Sequence, residues 1–315
     1  MDGLIRVLDL EKYVFGQTKE RIEFAGDLVS GLQQTGFVIL EGHGIERELI
    51  LRNYSAWKKV FSLNTSVKEK YGGVVGGQRG YTGFGKEHAK GRSMADLKEF
   101  WQIGHEFETG HPMELEYPRN VWPQEVPELR SCCLTLFHSL ERVAFLLLEA
   151  FALHFDLRLD FFHDMIRDGS TILRAIHYPP VPQDTLGIVR AAEHADISLM
   201  TLLVEATDTG LEILTRDGHW IPIHTAPGQI VVNTGLMMAR LTNDFIPATV
   251  HRVLNHHSNT SSRYALPFFV QPRHDVILRT VPLFMRDGTV KYPPITVRRF
   301  LEHELSHIGL LKSTK

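Results

Sequence analysis

Hydrophobic residues change their spacing repeatedly along the first seventy positions. Ile5, Val7, Leu8 and Leu10 suggest a short strand, after which Ile22, Ala25, Leu28, Val29 and Leu32 recur with the repeat of an amphipathic helix. Gly36 ends that helix, and Phe37-Val38-Ile39-Leu40 is an apolar run of strand length. Leu49, Ile50, Trp57, Val60 and Phe61 predict a second helix. Residues 72–92 are glycine-rich, carry no period and predict a loop. Such a loop is either plain surface or the lining of a pocket, with Arg79 and Tyr81 as its contacts.

A long helix follows from Pro127 to about Phe155, where Leu134, Phe137, Leu140, Ala144, Leu147, Leu148 and Phe151 make a broad apolar face fit to back a sheet. Beyond it the pattern becomes β-like. The runs 171–178, 211–214, 229–232 and 264–270 are short and β-rich, and are separated by Pro179-Pro180, Asp217-Gly218, Pro227-Gly228 and Asp287-Gly288. Many short strands with frequent turns predict a sandwich or barrel-like sheet. Pro293-Pro294 then precedes a terminal helix from Val297 to Ile308. The expected fold class is mainly β with flanking helices. Residues 1–125 would form an N-terminal α/β region integral to the fold, and 126–315 the backing helix, the sheet core and the C-terminal helix.

With 43% hydrophobic and 23% charged residues among 315, the chain has the composition of a folded protein. A net charge of −3 without a run of Lys and Arg gives no electrostatic basis for a nucleic-acid partner. The N-terminus shows no charged leader before an apolar stretch, and no uninterrupted run reaches the ~20 apolar residues of a membrane span, so no membrane partner and a cytoplasmic location are expected. Cys132 and Cys133 are adjacent and inside the long helix, which makes them packing thiols of a reducing compartment.

Chemistry concentrates in Glu193-His194-Ala195-Asp196. In an extended segment, positions i and i+2 leave the same face, so one imidazole and one carboxylate can reach one ion. A His-x-Asp pair is common by chance. It needs a second imidazole, and His251 in a β-type segment is preferred to His256 and His257, which fall in a turn-like run. Two imidazoles and a carboxylate on one face of an octahedral ion are the donor set of non-haem Fe(II) oxygenases, while three-ligand zinc stays open on residue types alone.

The chain resembles the 2-oxoglutarate/Fe(II)-dependent dioxygenases of the isopenicillin N synthase type. The likeness rests on motifs in order: Val7-Leu8-Asp9-Leu10, Thr35-Gly36-Phe37-Val38, Gly42-His43-Gly44-Ile45 and Asp96-Leu97-Lys98-Glu99, followed by Arg174 with Tyr178-Pro179-Pro180, His194-Ala195-Asp196, Pro227-Gly228, Asn233 with Gly235, and His251-Arg252-Val253. The intervals of 57 residues from His194 to His251 and 12 from His251 to Arg263 fit the family pattern. The resemblance implies a double-stranded β-helix, a cupin-like jelly roll with iron at its open end.

It further implies that His194, Asp196 and His251 are the catalytic iron ligands, that Arg263 grips the distal carboxylate of 2-oxoglutarate, and that Tyr178 donates a hydroxyl to the same acid. Ala265 stands where the family pattern has serine. The implied cofactors are Fe(II), 2-oxoglutarate as co-substrate and molecular oxygen, and the implied reaction is oxidation of a small molecule, with hydroxylation first and desaturation or cyclisation as variants. Arg79, Tyr81, Trp101, Arg174 and Phe269 are the substrate-pocket candidates, and the two arginines would suit an amino acid or related acid. Two other readings stand beside this one: an isopenicillin N synthase-like oxidase that needs no 2-oxoglutarate, and a non-catalytic jelly-roll binding protein.

Overall fold

The computed structural model describes residues 4–88, 96–180, 189–254, 261–285 and 288–311. His256, His257, Asp287 and the end of the glycine-rich segment, all named above, lie outside the described residues.

Among the described residues, thirteen strands build two facing sheets: β1 (Arg6–Asp9), β2 (Phe37–Glu41), β3 (Gly80–Thr82), β4 (Glu99–Gly104), β5 (Ile172–Tyr178), β6 (Val189–His194), β7 (Met200–Val204), β8 (Leu211–Leu214), β9 (Trp220–Pro222), β10 (Ile230–Thr234), β11 (His251–Leu254), β12 (Arg263–Ala265) and β13 (Pro267–Val270). The larger sheet runs β1-β2-β10-β7-β13-β5-β4-β3, with β12 also paired to β5, and the smaller runs β6-β11-β8-β9. Of these strand pairings only β1 with β2 is parallel. This is the jelly roll expected.

Side-chain alternation divides the interior in two. On β2, Val38 and Leu40 join the core that packs against helices, while Phe37 and Ile39 face the smaller sheet. Likewise Leu173 and Ala175 of β5 point to the helices and Ile176 and Tyr178 into the roll. Because β2 is paired on both edges and covered on both faces, its four apolar residues are all buried, which is why it reads as an unbroken apolar run. Gly36 caps the preceding helix Thr18–Thr35 in the left-handed conformation, φ 74°, and donates its N–H to Leu32.

The long helix is Leu129–His154, packed on the helices Thr18–Thr35 and Arg47–Phe61 and on β13. Its length and hydropathy would suit a membrane span, but its apolar face is spent on this protein core, with Phe137 edge-on to Phe268 at 5.0 Å. Cys133 is buried in it and both cysteines are free.

Three expectations are corrected. The glycine-rich segment contains strand β3, held to β4 by Gly80, Tyr81 and Thr82. The run 264–270 is two strands interrupted at Leu266, just before Pro267, which offers no N–H, and β12 and β13 meet β5 in one continuous register. Strands also form at β4, β6, β7 and β9, where the hydrophobic pattern predicts none.

Phe137→Ala should lower unfolding free energy by about 3–5 kcal/mol in urea denaturation. A loss below ~1 kcal/mol would show that the backing helix is not the main apolar support of the sheet.

Candidate active site

His194 ends β6 and His251 begins β11, and the two are direct partners across that antiparallel pair. Their rings lie 4.4 Å apart. Asp196, two residues past the strand end, brings Oδ1 to 3.9 Å from Nε2 of His194 and 3.7 Å from Nε2 of His251. The three ligand atoms lie within 4.8 Å of one another, the one buried or half-buried set of three converging on the cavity among the described residues.

Each ligand is oriented by a hydrogen bond on its far side. His194 Nδ1 donates to Ala192 O at 2.7 Å and His251 Nδ1 to Thr249 O at 3.2 Å, which leaves both Nε2 atoms with their lone pairs toward the centre. Asp196 Oδ2 accepts from Thr201 Oγ1 at 2.6 Å and Asn233 Nδ2 at 2.8 Å, so Oδ1 is the coordinating oxygen. Ser198 in turn bonds Thr201. Gly235 is required here because a Cβ would collide with the carbonyls of Ser198 and Asp196.

Protonation states agree with metal binding. Lost solvation and the neighbouring His251 push His194 down to about 4, so its imidazole is neutral at physiological pH. Burial acts to raise Asp196, yet His251 and His194 and the bonds from Asn233 and Thr201 outweigh it and keep the carboxyl below its ordinary value. Two imidazoles with one carboxylate and no thiolate suit Fe(II).

The triad opens on a cavity of about 310 Å³. Tyr178, Arg174, Arg263, Ala265 and Phe269 line it. Arg263 pairs with Tyr178 across β12 and β5, and its guanidinium lies 5.2 Å from that ring. Its Nε donates to Asp208 O at 3.2 Å, but Nη1 is buried with no partner among the described residues. Arg174 is different. It is sandwiched by Phe100 at 4.2 Å and Phe269 at 5.3 Å, and donates Nη1 to both oxygens of Glu87 and Nε to Gln102.

Arg79, Tyr81 and Trp101 are placed away from this cavity. Trp101 is fully buried and donates to Val121 O. Tyr81 donates to Glu99 at 2.6 Å, and Glu99 also meets Lys68 and His177 in a buried network on the other side of the sheet. Arg79 is buried, donates Nη1 to Gln78 O, and burial draws its pKa down to about 10. Strand alternation explains Tyr81 and Trp101, which are cross-strand partners on β3 and β4 and face away from the roll, while Arg79 precedes β3.

Glu87, Asp96 and Lys98 are cavity residues that the pattern does not single out as contacts. Lys98 bonds Glu87 at 2.6 Å and Asp96 at 2.8 Å, and Asp96 Oδ1 accepts from Ala192 N, two residues from His194. A signal exists in Asp96-Leu97-Lys98-Glu99, whose alternation sends Lys98 and Glu99 to opposite faces. Burial alone would raise Glu87, but Arg174 and Lys98 overcome it and hold the carboxyl at about 2 against an ordinary 4.5.

Residues 169–272 match the model of the 2OG-Fe(II) oxygenase superfamily, and residues 5–125 that of the non-haem dioxygenase in morphine synthesis N-terminal region. A 2OG-Fe(II) oxygenase family protein from Caulobacter crescentus is 37% identical with a TM-score of 0.86, covering 96% of this chain and 98% of that one. This chain belongs to the 2OG-Fe(II) oxygenase superfamily. A Neurospora crassa protein, solved at full length in complex with alpha-KG and thymine, is 27% identical with a TM-score of 0.86 over 97% of each chain. The 2-oxoglutarate-Fe(II) type oxidoreductase hxnY of Emericella nidulans is 29% identical over 306 residues, 92% of this chain and 86% of the relative. The oxygenase therefore uses Fe(II), held by His194, Asp196 and His251, with 2-oxoglutarate and molecular oxygen to oxidise a small molecule.

Thr201→Val should weaken Fe(II) binding by roughly 10–100-fold, read by anaerobic metal titration, because it unties Asp196 Oδ2. Unchanged affinity would assign the orientation to Asn233 alone. For Glu87 the folded value of about 2 lies below 4.5, so its contribution to stability is complete above pH 4.5 and is lost as pH falls toward 2. Glu87→Gln should thus be less stable than wild type at neutral pH, with the gap narrowing through that window in urea titrations. A gap independent of pH would trace the loss to packing.

Proposed function

We propose that this oxygenase hydroxylates a small, planar, uncharged polar molecule, and that Arg263 with Tyr178 holds the distal carboxylate of 2-oxoglutarate. The observation that carries the reading is the contrast between the two cavity arginines. Arg263 is a buried cation with no ion pair to a carboxylate among the described residues and an unpartnered Nη1. A guanidinium in that state is stabilised by a bound carboxylate, which it meets with a fixed fork of donors. Arg174 already has its carboxylate in Glu87, as Lys98 has Glu87 and Asp96. A second organic acid placed there would gain little from cations so compensated, and the expectation of an acidic substrate gives way.

What remains at Arg174 is Nη2, the nitrogen that its bonds to Glu87 and Gln102 leave unengaged among the described residues, beside the ring of Phe269. A ring carbonyl can accept from that nitrogen while the ring stacks on Phe269. The thymine in complex with the Neurospora crassa protein has this chemistry, which supports the reading as a class of substrate. When bound, iron would supply the oxidising chemistry, in which one atom of molecular oxygen goes to 2-oxoglutarate as it loses carbon dioxide to become succinate and the other enters the substrate. The chain orients both molecules. Tyr178 and Arg263 fix one end of the co-substrate, and Arg174 and Phe269 aim the substrate toward the open side of the triad.

Ala265 removes one hydroxyl from the co-substrate site, a loss of about 0.5–1.5 kcal/mol for a neutral hydrogen bond. It is buried beside Ile176 and Tyr178, and is the feature that would favour the isopenicillin N synthase-like reading without 2-oxoglutarate. The unpartnered Nη1 supports the co-substrate more strongly, since leaving a buried charged donor unpaired costs more than one neutral bond. The free thiols of Cys132 and Cys133 support a cytoplasmic enzyme.

Anaerobic addition of 2-oxoglutarate to the Fe(II) protein should give a weak visible charge-transfer band. Arg263→Ala should raise the 2-oxoglutarate concentration required by at least about tenfold with iron retained, the size expected for one charge-assisted hydrogen bond. Iron binding without a band would return the oxidase reading. Succinate release should be coupled to neutral cyclic amides in a substrate panel, and coupling to carboxylic acids alone would overturn the assigned substrate class.

A further inference from the structure

The terminal helix Val297–His307 has two working faces. Leu301, Glu304 and Leu305, with Ile308 just after it, line the iron cavity. His303 and His307, both exposed, stand one turn apart along its outside. The run is His303-Glu304-Leu305-Ser306-His307, a His-Glu-x-x-His pattern that the hydrophobic reading of the helix passes over. One ligand atom from each of His303, Glu304 and His307 lies within 4.8 Å of the other two. The imidazole rings are 4.3 Å apart.

The hydrogen bonds decide which atoms face outward. His307 Nδ1 lies 2.7 Å from His303 O, and a carbonyl can only accept, so the proton is on Nδ1 and the Nε2 lone pair is exposed. His303 Nδ1 lies 3.0 Å from Glu304 Oε1, a carboxylate that again takes the Nδ1 proton and leaves Nε2 as the donor atom. Both imidazoles are thus set in the tautomer and orientation of metal ligands, by the same device that prepares His194 and His251.

We propose that His303 and His307 form a second metal site, for a divalent ion of the late transition series such as Ni(II), Cu(II) or Zn(II), completed by water. Two imidazoles hold these ions better than Fe(II), following the Irving–Williams order. The site is not hydrolytic. Glu304, the residue that would activate water in a metalloprotease, is 6% exposed and turned to the iron cavity, orienting His303. An ion there ties two successive turns of the helix whose inner face closes the iron cavity. Its consequence is mechanical: occupancy outside resists opening of the helix and so of the cavity.

The test is calorimetric titration of the untagged full-length apoprotein with Ni(II). Wild type should bind two equivalents, one at the triad and one at the helix. His307→Ala and His303→Ala should each bind one, as should His251→Ala through loss of the other site, and the double variant His251→Ala/His307→Ala none. Two equivalents retained by both helix variants, or one in wild type, would overturn the site. Hydrogen exchange tests the clamp separately. Ni(II) at about ten times its dissociation constant should slow amide exchange across residues 297–308 by about tenfold in wild type and leave His307→Ala unchanged. Equal slowing in both proteins would show that the helix responds to the triad ion instead.

Discussion

The register of one antiparallel strand pair governs the rest of this molecule. His194 and His251 face each other because β6 and β11 are aligned at that residue pair, and a shift by one position would turn an imidazole to the opposite face. The pair sits at the end of the roll, where β6 stops and the chain turns to place Asp196. What fixes the register is largely remote from iron. On its other edge β11 pairs regularly with β8, His251 with Ile213 and Val253 with Leu211 in the apolar interior, while Asp96, from the N-terminal region, anchors Ala192 beside the shift in register that separates His251 from Val253 against β6. The N-terminal strands are therefore part of the metal centre's support, since β2 pairs with β10 and Asn233 of β10 reaches Asp196.

Within the cavity, charge is sorted by pairing. Lys98, Glu87, Asp96 and Arg174 compensate one another in a buried network, which excludes a free field at the substrate end. Arg263, shielded among Tyr178 and the interior apolar residues, retains an uncompensated guanidinium among the described residues. Removing either partner of a buried pair is costly, whereas an unpaired buried cation is relieved by an arriving anion. The same fold thus makes one end of the pocket demand a carboxylate and the other end accept neutral polar groups. The backing helix packs on the larger sheet at β13 and β7, and the terminal helix lines the cavity with Leu301 and Leu305.

The outside of the terminal helix repeats at the surface what the triad does inside. Both sites rely on Nδ1 being occupied so that Nε2 is presented. They differ in what surrounds them. A third ligand, burial and a bounded cavity make the triad a reaction centre, while two exposed imidazoles on one helix can hold an ion but shape no substrate.

The sequence by itself determined the elements with strong periodicity and the motifs that are local. The helices near 18–35, 47–61 and 129–154, the strand at 37–41 and the His-x-Asp pair all follow from spacing within a few residues. Short strands such as β4, β6 and β7 are not legible, because a buried strand of five or six residues, such as Glu99–Gly104, mixes apolar positions with polar ones whose partners come from other strands. The choice of His251, the roles implied for Arg263 and Tyr178, and the likeness to a known family came from ordered motifs. Only the tertiary structure decided that Trp101 and Tyr81 turn from the cavity, that Arg174 is neutralised by Glu87 while Arg263 is not, and that Lys98 lines the same cavity as the triad. Charge and exposure at a position are set by which strands are brought beside it, and that information is spread over contacts far apart in the chain.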